Sequence, residues 1–288
     1  MRASLNAPTQ LASTYIISAL LFINLVVLGC RTPQDDPSDQ GRVLRLATTT
    51  SARDSGLLDV LLPRFEESFH CRVDVIAVGS GAALKLGQSG DADAVLVHAR
   101  SAEDEFMQAG YGTRHEEFMK NDFVILGPEH DPALAQGRSP SQIFEILARD
   151  QHPFVSRGDR SGTHQREEQL WKNASITPDW EHYIESGQGM GATLTMADEL
   201  QAYVLCDFGT YINFKEDIDL VQHNGSSDGL ENPYACMVVN PALHPHTETE
   251  LAQAFVDYLI SNTVQEKIGN YQIQGTALFT PTRQTETP

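Results

Sequence analysis

Strand-like apolar runs alternate with amphipathic helical segments along the chain, and the turns that join them are rich in Gly, Ser and Thr. Residues 43–47 lead into such a turn and then a helix at 57–69 with an apolar stripe, and residues 73–78 lead into another turn and a helix at 82–88. Further along, Ser139 is expected to cap a helix at about 140–149, and the turn at 187–191 opens a helix at about 192–200. This alternation predicts an α/β fold. In open α/β sheets, ligands bind at the carboxyl ends of the strands. The turns that follow the strands are therefore the first place to look for a binding site.

Four of these turns combine small residues with hydroxyl groups: 48–51, 79–81, 157–163 and 187–193. A helix that begins in such a turn has unpaired N–H groups and the positive end of its dipole, and both favour an anion. Arg157 would add a permanently charged, forked donor. Because Ser, Thr and Gly are also ordinary capping residues, any one turn is better explained as structural, and only convergence would make a site. The candidate hydroxyl ligands are Thr49, Thr50, Ser51, Ser80, Ser161, Thr163 and Thr193.

The charge of the chain limits its partners. Among 288 residues, 20 are Lys or Arg and 39 are Asp or Glu, which gives a net charge of −19. A body this acidic repels nucleic-acid phosphates and anionic lipid, so we expect no nucleic-acid partner. The hydrophobic content of 41% supports a folded core in one large domain or two modest lobes. An anionic ligand would need a local positive site.

The N-terminus has the pattern of an export signal. Residues 16–28 form an apolar run that is short for a membrane span, and Val-Leu-Gly-Cys follows at 27–30. This pattern resembles a bacterial lipobox, which predicts a signal peptide at 1–29, cleavage before Cys30 and lipidation of its sulfur. An ordinary signal peptide or anchor with an incidental Cys is the alternative. Residues 30–41 are polar and rich in Pro and Asp, which is typical of a flexible tether.

Three further cysteines remain, at positions 71, 206 and 236. Their spacing matches no zinc-binding pattern. In an exported protein two of them can join, and Cys206 with Cys236 is the pair we weakly expect, because both lie in apolar, strand-like stretches. Three buried free thiols are an equally good interpretation.

Several longer runs carry a family resemblance. The most specific are TTTS at 48–51, SRGDRSGTH at 156–164 and GQGMG at 187–191, and matching runs cover nearly all of the body. In these runs the chain resembles the tungstate-binding proteins of bacterial ABC importers, a group of periplasmic binding proteins whose type also takes molybdate, sulfate and phosphate.

The resemblance implies a two-lobed α/β fold of the type II periplasmic-binding-protein class, with mixed sheets flanked by helices and a ligand cleft between the lobes. Lobe 1 would comprise 42–122 plus 233–288, and lobe 2 would comprise 123–232. Hinge closure would bury the anion. The implied protein is a monomeric, lipid-anchored extracytoplasmic binding protein, not an enzyme, without a cofactor or a metal cation site, which delivers tungstate or molybdate to an ABC permease. The residues that the resemblance places at the ligand are Thr49, Thr50, Ser51, Ser80, Arg157, Ser161, Gly162, Thr163, Gly191 and Thr193.

The chain departs from the family pattern at a few positions. Ala52 stands where a Thr is expected, Ser80 replaces the Thr of a GTG turn, and Arg160 replaces an Asp. Arg160 would strengthen anion binding or pair with Asp159 or Glu167. Cys206 and Phe208 also stand where Thr and Arg are usual.

Proton chemistry separates the candidate anions. Tungstate, molybdate and sulfate are fully deprotonated near neutral pH and only accept hydrogen bonds, whereas phosphate keeps a proton and favours a site with a carboxylate acceptor. Asp54 and Asp159 lie near the proposed turns, and we expect both to cap helices or pair with Arg. If either carboxylate pointed into the cleft instead, phosphate would be favoured. A protein that binds phosphate or sulfate is the alternative.

Other classes are less well supported. A serine hydrolase built on Ser161, His164 and Asp159 is a remote alternative, because the spacing is not that of a nucleophile elbow. The ten histidines show no metalloprotease motif. An organic-anion site usually has aromatic walls, which the four turns lack.

Overall fold

The computed structural model describes residues 41–283. The predicted signal peptide, Cys30 and all but the last residue of the tether lie outside the described residues. Within the described part, none of the helices has the length and apolar character needed to span a membrane.

The predicted α/β class is confirmed, with twelve strands and ten helices in the described residues. The strands are β1 (Arg42–Thr49), β2 (Cys71–Val78), β3 (Ala94–Val97), β4 (Gly112–Gly127), β5 (Phe154–Ser156), β6 (Tyr183–Glu185), β7 (Tyr203–Asp207), β8 (Val221–Gln222), β9 (Glu231–Val239), β10 (Gln272–Ile273), β11 (Thr276–Ala277) and β12 (Thr280–Pro281). The helices are α1 (Thr50–Asp54), α2 (Leu57–Phe69), α3 (Ser80–Ser89), α4 (Arg100–Gln108), α5 (Pro140–Arg149), α6 (Gly162–Asn173), α7 (Met190–Glu199), α8 (Phe208–Phe214), α9 (Thr249–Leu259) and α10 (Asn262–Gly269).

One mixed sheet of ten strands organises the molecule. Its order is β2-β1-β3-β9-β4-β7-β5-β6, with β8 and β12 also paired to β4. Strands β1, β2 and β3 are parallel, and so are β5, β6 and β7, while β9 and β4 lie between the two groups and are antiparallel to their neighbours. The 16-residue strand β4 pairs with β9 along its first part and with β7 along its last part.

Amphipathic helices cover the sheet as their residue spacing predicts. The stripe on α2 buries Leu58, Leu61 and Phe65 against a core that also contains residues of β1, β3, β9 and α9. The helix continues through Pro63, which is exposed. In α5, Ser139 forms the predicted cap, and Gln142 completes a capping box by bonding back to the Ser139 N–H.

Buried side chains fall into four clusters. The buried members of two clusters come only from 44–119 and 234–279, and those of the other two come only from 123–230. The partly buried Phe208 and Ile273 pack against clusters of both groups. The predicted lobe boundaries at 122/123 and 232/233 lie between these groups, and the division into two lobes remains a prediction.

Two helices begin earlier than the sequence predicts, and one short helix was not predicted. The helix expected at 82–88 begins at Ser80, the one expected at 192–200 begins at Met190, and the TTTS run itself enters the short helix α1. The N-caps of the first two are Gly79 and Gly189, which have no capping side chain, so neither start has the Ser, Thr, Asp or Asn that marks a helix start in a sequence. The small residues of the turns therefore lie in the first helical turns, where N–H groups have no intrahelical partner.

The weakly expected disulfide between Cys206 and Cys236 is wrong, because all three cysteines in the described residues are free. Both thiols are buried on strands that flank β4. Cys236 is opposite Glu116 and Cys206 is opposite Val124, eight positions further along β4. At roughly 3.3 Å per residue this places the thiols more than 20 Å apart, far beyond the reach of a disulfide.

Candidate functional site

Residues from four separate stretches of chain surround one small cavity. Its volume is about 20 Å³, which is room for about one water-sized molecule, whereas pockets for drug-sized organic ligands are about 300–1,000 Å³. Eight of the ten predicted site residues are among its lining residues, namely Thr49, Thr50, Ser51, Ser80, Arg157, Ser161, Gly162 and Thr163. The convergence that the sequence could not establish is therefore present.

Strand ends place the first half of the site. Thr49 ends β1 and Val78 ends β2, and the two residues are directly paired in register. Thr49 is the N-cap of α1, where its Oγ1 accepts a hydrogen bond from the Ala52 N–H at 3.1 Å. The Thr49 and Ser51 hydroxyls are 3.1 Å apart. Ser80 is buried in the first turn of α3, so two helix starts lie side by side.

The start of α6 completes the ring of donors. Ser161 is its N-cap, and the Ser161 Oγ accepts a hydrogen bond from the His164 N–H at 3.3 Å. Gly162 and Thr163 follow as the first helical residues and are buried. Their own N–H groups are among the four at a helix start that have no intrahelical acceptor. Three helices therefore begin at the cavity wall.

Arg157 brings a positive charge to the cavity, and its Nε is buried without a hydrogen-bond partner. Another guanidinium nitrogen of Arg157 pairs with Asp159. Burial opposes ionisation of Asp159, but hydrogen bonds from Ser161 and the charge of Arg157 outweigh it and hold its pKa below the usual value. Asp159 therefore stays ionised and orients Arg157, as expected. A buried donor without an acceptor is costly unless a ligand supplies the acceptor.

The cavity wall contains no carboxylate among the described residues that line it. Asp159 is engaged with Arg157 and with the Ser161 N–H. Asp54 accepts from Arg53 Nε at 2.7 Å and lines a wider, neighbouring cavity of about 350 Å³. The inner site therefore offers N–H, O–H and guanidinium donors to an anion.

The GQGMG turn lies beside this wider cavity. Gly191 lines it together with Thr50, Ser51 and Arg157. Thr193 lines neither cavity, because its Oγ1 is 2.7 Å from the Ser186 Oγ and donates within its own helix to the Gly189 carbonyl at 3.1 Å. The structure thus brings Gly191 near the site and leaves Thr193 out of the wall.

His98 is a wall residue that the sequence reasoning missed. Its Nε2 lies 3.1 Å from the Ser51 Oγ and its Nδ1 lies 2.9 Å from the Asn232 Oδ1. Burial lowers the pKa of His98, against the opposing effect of Asp207, so the ring is neutral in the absence of a ligand. His98 follows β3 directly, so the rule that found the other turns would also have found it.

The two ion pairs suggested for Arg160 in the sequence analysis are corrected. Arg160 forms neither suggested pair, because Asp159 pairs with Arg157 and Glu167 accepts hydrogen bonds from Trp171 and Tyr183. The Arg160 N–H instead donates to the His164 Nδ1.

The contacts of Ser161 and His164 do not form a hydrolase triad. The Ser161 Oγ caps a backbone N–H, and the His164 Nδ1 accepts from backbone, so neither atom shows the nucleophile–base contact of a triad. In the described stretch of chain, no group of three or more His, Cys, Asp or Glu side chains is placed to hold a metal ion.

Comparisons with known proteins agree with this geometry. A family model described as a PBP superfamily domain matches residues 33–263. The tungstate-binding protein TupA of Peptoclostridium acidaminophilum is 40% identical over 277 residues, which are 92% of this chain and 96% of that protein. The solved structure of the tungstate ABC transporter from Geobacter sulfurreducens is 48% identical with a TM-score of 0.73, covering 80% of this chain and 98% of that one. The tungstate-binding protein TupA of Desulfovibrio alaskensis G20 is 40% identical with a TM-score of 0.76, covering 85% and 100%.

Proposed function

Since the chain belongs to the PBP superfamily, within the family of ABC-transporter tungstate-binding proteins, we propose that it captures tungstate and delivers it to an ABC permease. Molybdate is the second ligand of this proposal, because the two anions have nearly the same size and charge. The protein acts by binding and release, without chemistry on the anion and without a cofactor.

One observation carries the proposal. The buried Arg157 Nε lacks an acceptor beside a cavity in which three helices begin and which no described carboxylate lines. A dianion in this cavity would accept hydrogen bonds from the guanidinium, from hydroxyls and from backbone N–H groups together. The ligand-contact roles of the wall residues, and of Gly191 next to it, are part of the proposal.

The lack of a carboxylate among the described residues that line the cavity supports tungstate over phosphate. Near neutral pH phosphate carries a proton, and burial of that proton without an acceptor has a desolvation penalty. Asp159 and Asp54, the carboxylates next to the predicted turns, are engaged with Arg157 and Arg53. The buried Asp207, whose charge acts on His98, accepts two hydrogen bonds from Thr210. Sulfate has the same hydrogen-bonding character as tungstate but is smaller, so the fit of the closed cavity has to separate these two.

Calorimetric titration with tungstate, molybdate, sulfate and phosphate in turn tests the proposal. We expect tight binding of tungstate and molybdate, weaker binding of sulfate and no heat with phosphate. A protein that binds phosphate and ignores tungstate would be a phosphate receptor, and this result would overturn the proposal. Thermal unfolding is an independent readout, because a ligand that binds only the folded state raises its stability.

We further propose that the anion is enclosed by closure of two lobes, 42–122 plus 233–288 and 123–232, and that the protein works as a monomer. The separation of the buried clusters between these ranges supports two rigid parts. Small-angle scattering with and without tungstate tests both points. We expect a monomer whose radius of gyration falls when the anion binds.

The sequence of the N-terminus supports an extracytoplasmic, membrane-anchored location through a lipid on Cys30. Replacement Cys30→Ala removes the acceptor sulfur, so we expect the variant to leave the membrane fraction. Cys71→Ala is the matched control, since that thiol lies in the folded body at the start of β2, and it should stay anchored. Continued anchoring of Cys30→Ala would contradict lipidation at this position.

A further inference from the structure

His98 and Arg157 are the two titratable side chains that line the small cavity. Arg157 keeps its charge at any accessible pH, so His98 is the wall residue whose charge can change. Gly162 approaches it so closely that a Cβ there would lie 3.2 Å from the His98 Cε1, and the ring stacks on Tyr234 at a centroid distance of 4.5 Å.

The hydrogen bonds around His98 have a direction. Asn232 donates through Nδ2 to the Asn121 Oδ1 at 2.7 Å, which leaves its Oδ1 to accept from the His98 Nδ1 at 2.9 Å. The neutral ring therefore carries its hydrogen on Nδ1 and a lone pair on Nε2. The Ser51 Oγ, 3.1 Å from this Nε2, has one hydrogen and donates it to the ring.

This arrangement conflicts with anion binding. When Ser51 gives its only hydrogen to His98, it presents oxygen lone pairs to the cavity. If Ser51 rotated its hydrogen towards an anion instead, the His98 Nε2 would be a buried acceptor without a donor, facing an oxygen lone pair. A proton on Nε2 removes the conflict, because the ring then donates to Ser51 and the Ser51 hydrogen is free to turn inward.

Resting on the proposed function, we propose that binding of the oxyanion draws one proton from solvent onto Nε2 of His98, and that His98 thereby positions the Ser51 hydroxyl as a donor to the anion. One N–H bond forms and none breaks in the protein or in the anion. His98 acts through Ser51 and is a positioning residue.

The charges that face His98 fit a switch driven by the ligand. Asp207 and Glu103 favour the protonated ring, while burial and Arg157 oppose it. The direct contacts of the ring with Ser51, Asn232, Tyr234 and Gly162 are uncharged. His98 also lines a second cavity of about 360 Å³, whose charged residues are Arg100, Asp104, Arg166 and Glu231, two of each sign. A dianion in the cavity offsets Arg157 and adds negative charge beside the ring, and both effects favour the imidazolium.

Calorimetry with tungstate in buffers of different ionisation enthalpy measures the protons taken up. For the wild type we expect uptake that approaches one proton per anion between the pKa of His98 in the free protein and its higher pKa in the complex. Over that range the Kd should weaken by up to tenfold per pH unit, and it should level off above the bound-state pKa. His98→Gln places an amide donor opposite Ser51 at every pH, so we expect binding without uptake and with a flat pH profile. The exposed control His130→Gln should behave as the wild type.

Each result is decisive. Tungstate binding by the wild type without proton uptake would overturn the inference and leave the proposed function intact, whereas absence of any tungstate binding would overturn the proposed function. Uptake that persists in His98→Gln would assign the proton to another group or to the anion. If His98→Gln does not fold, imidazole nitrogen NMR of the wild type decides: a doubly protonated buried ring must appear with tungstate, and a ring that stays neutral refutes the inference.

Discussion

A Cβ on Gly162 would lie 3.1 Å from the carbonyl oxygen of His98 and 3.2 Å from its Cε1. Few side chains tolerate contacts this short, so the missing Cβ lets the first turn of α6 reach the loop after β3. The close approach sets the width of the anion cavity, because both residues line it.

Substitution Gly162→Ala should therefore weaken tungstate binding by about tenfold, or ~1.4 kcal/mol, within the range for overpacked contacts. The added methyl forces α6 and His98 apart, and titration calorimetry measures the loss. Gly81→Ala is the control, because it sits in the first turn of α3 and an added Cβ meets no atom within 4 Å. Equal effects of both variants would show that the contact with His98 does not set the cavity width.

Substitution Arg157→Ala should weaken tungstate binding by about 1.5–3 kcal/mol, the scale of a hydrogen bond to a charged group, which is roughly 10- to 150-fold in Kd. Arg160→Ala is the matched control. It removes the same charge from an exposed side chain three residues further along the chain, so it should change the affinity for tungstate little. If Arg157→Ala kept wild-type affinity while Arg160→Ala lost it, the arginine that contacts the anion would have been misassigned.

The buried Glu167 predicts a pH effect on stability. Burial raises its pKa, although Tyr183 and Trp171 donate to its Oε1. The folded protein then holds the proton more tightly than the unfolded chain. The stabilisation is present below the unfolded pKa of about 4.3 and is lost as the pH rises through the folded pKa.

Glu167→Gln keeps an acceptor for both donors and removes the ionisation. Its stability relative to the wild type should therefore rise as the pH increases, and denaturant titrations at several pH values measure this difference. Glu168→Gln changes an exposed neighbour and should show no such trend. If the free energy of unfolding of the wild type instead rose relative to that of Glu167→Gln as the pH increased, the pKa of Glu167 in the folded protein would be lowered and not raised.

The free thiols predict insensitivity to reductant. Since Cys206 and Cys236 are buried and unbridged, the melting temperature of the folded body should be the same with and without dithiothreitol. Both thiols should react with a thiol reagent only after denaturation, and without prior reduction. A drop in melting temperature on reduction would reveal a bridge, because removal of a native disulfide typically costs about 2–5 kcal/mol.

Local patterns were sufficient for much of the fold. The apolar stripe of α2 and the cap at Ser139 depend on neighbours in sequence, and the structure contains both as predicted. The order of the strands, and with it the absence of a bond between Cys206 and Cys236, depends on which strands lie on either side of β4. That order is set by packing across the whole sheet, so it could not be predicted from local patterns. The apolar, strand-like stretches around Cys206 and Cys236 indicate that both thiols are buried, but they do not indicate the distance between the two thiols.

The site divides in the same way. Strand-end turns and helix starts marked the segments that contain eight of the wall residues, and the family resemblance placed those residues at the ligand; only the structure shows that the segments converge. Thr193 does not line the wall, because its hydroxyl, four residues after the Gly189 cap, donates back to the carbonyl of that Gly. His98 was missed although it directly follows β3, because no Gly, Ser or Thr turn accompanies it, and its partners Ser51 on α1 and Asn232 on β9 are distant in sequence.

The pairing of β4 with β9 also has a consequence for how the chain reaches this structure. Asn121 and Asn232, bonded through their side chains across the two strands, are 111 positions apart. Contacts of this range form slowly, since a long loop must close before they contribute. Until β9 arrives, one edge of the 16-residue β4 is unpaired and open to other chains. A chain that ends before residue 231 should therefore aggregate rather than accumulate as a folded fragment.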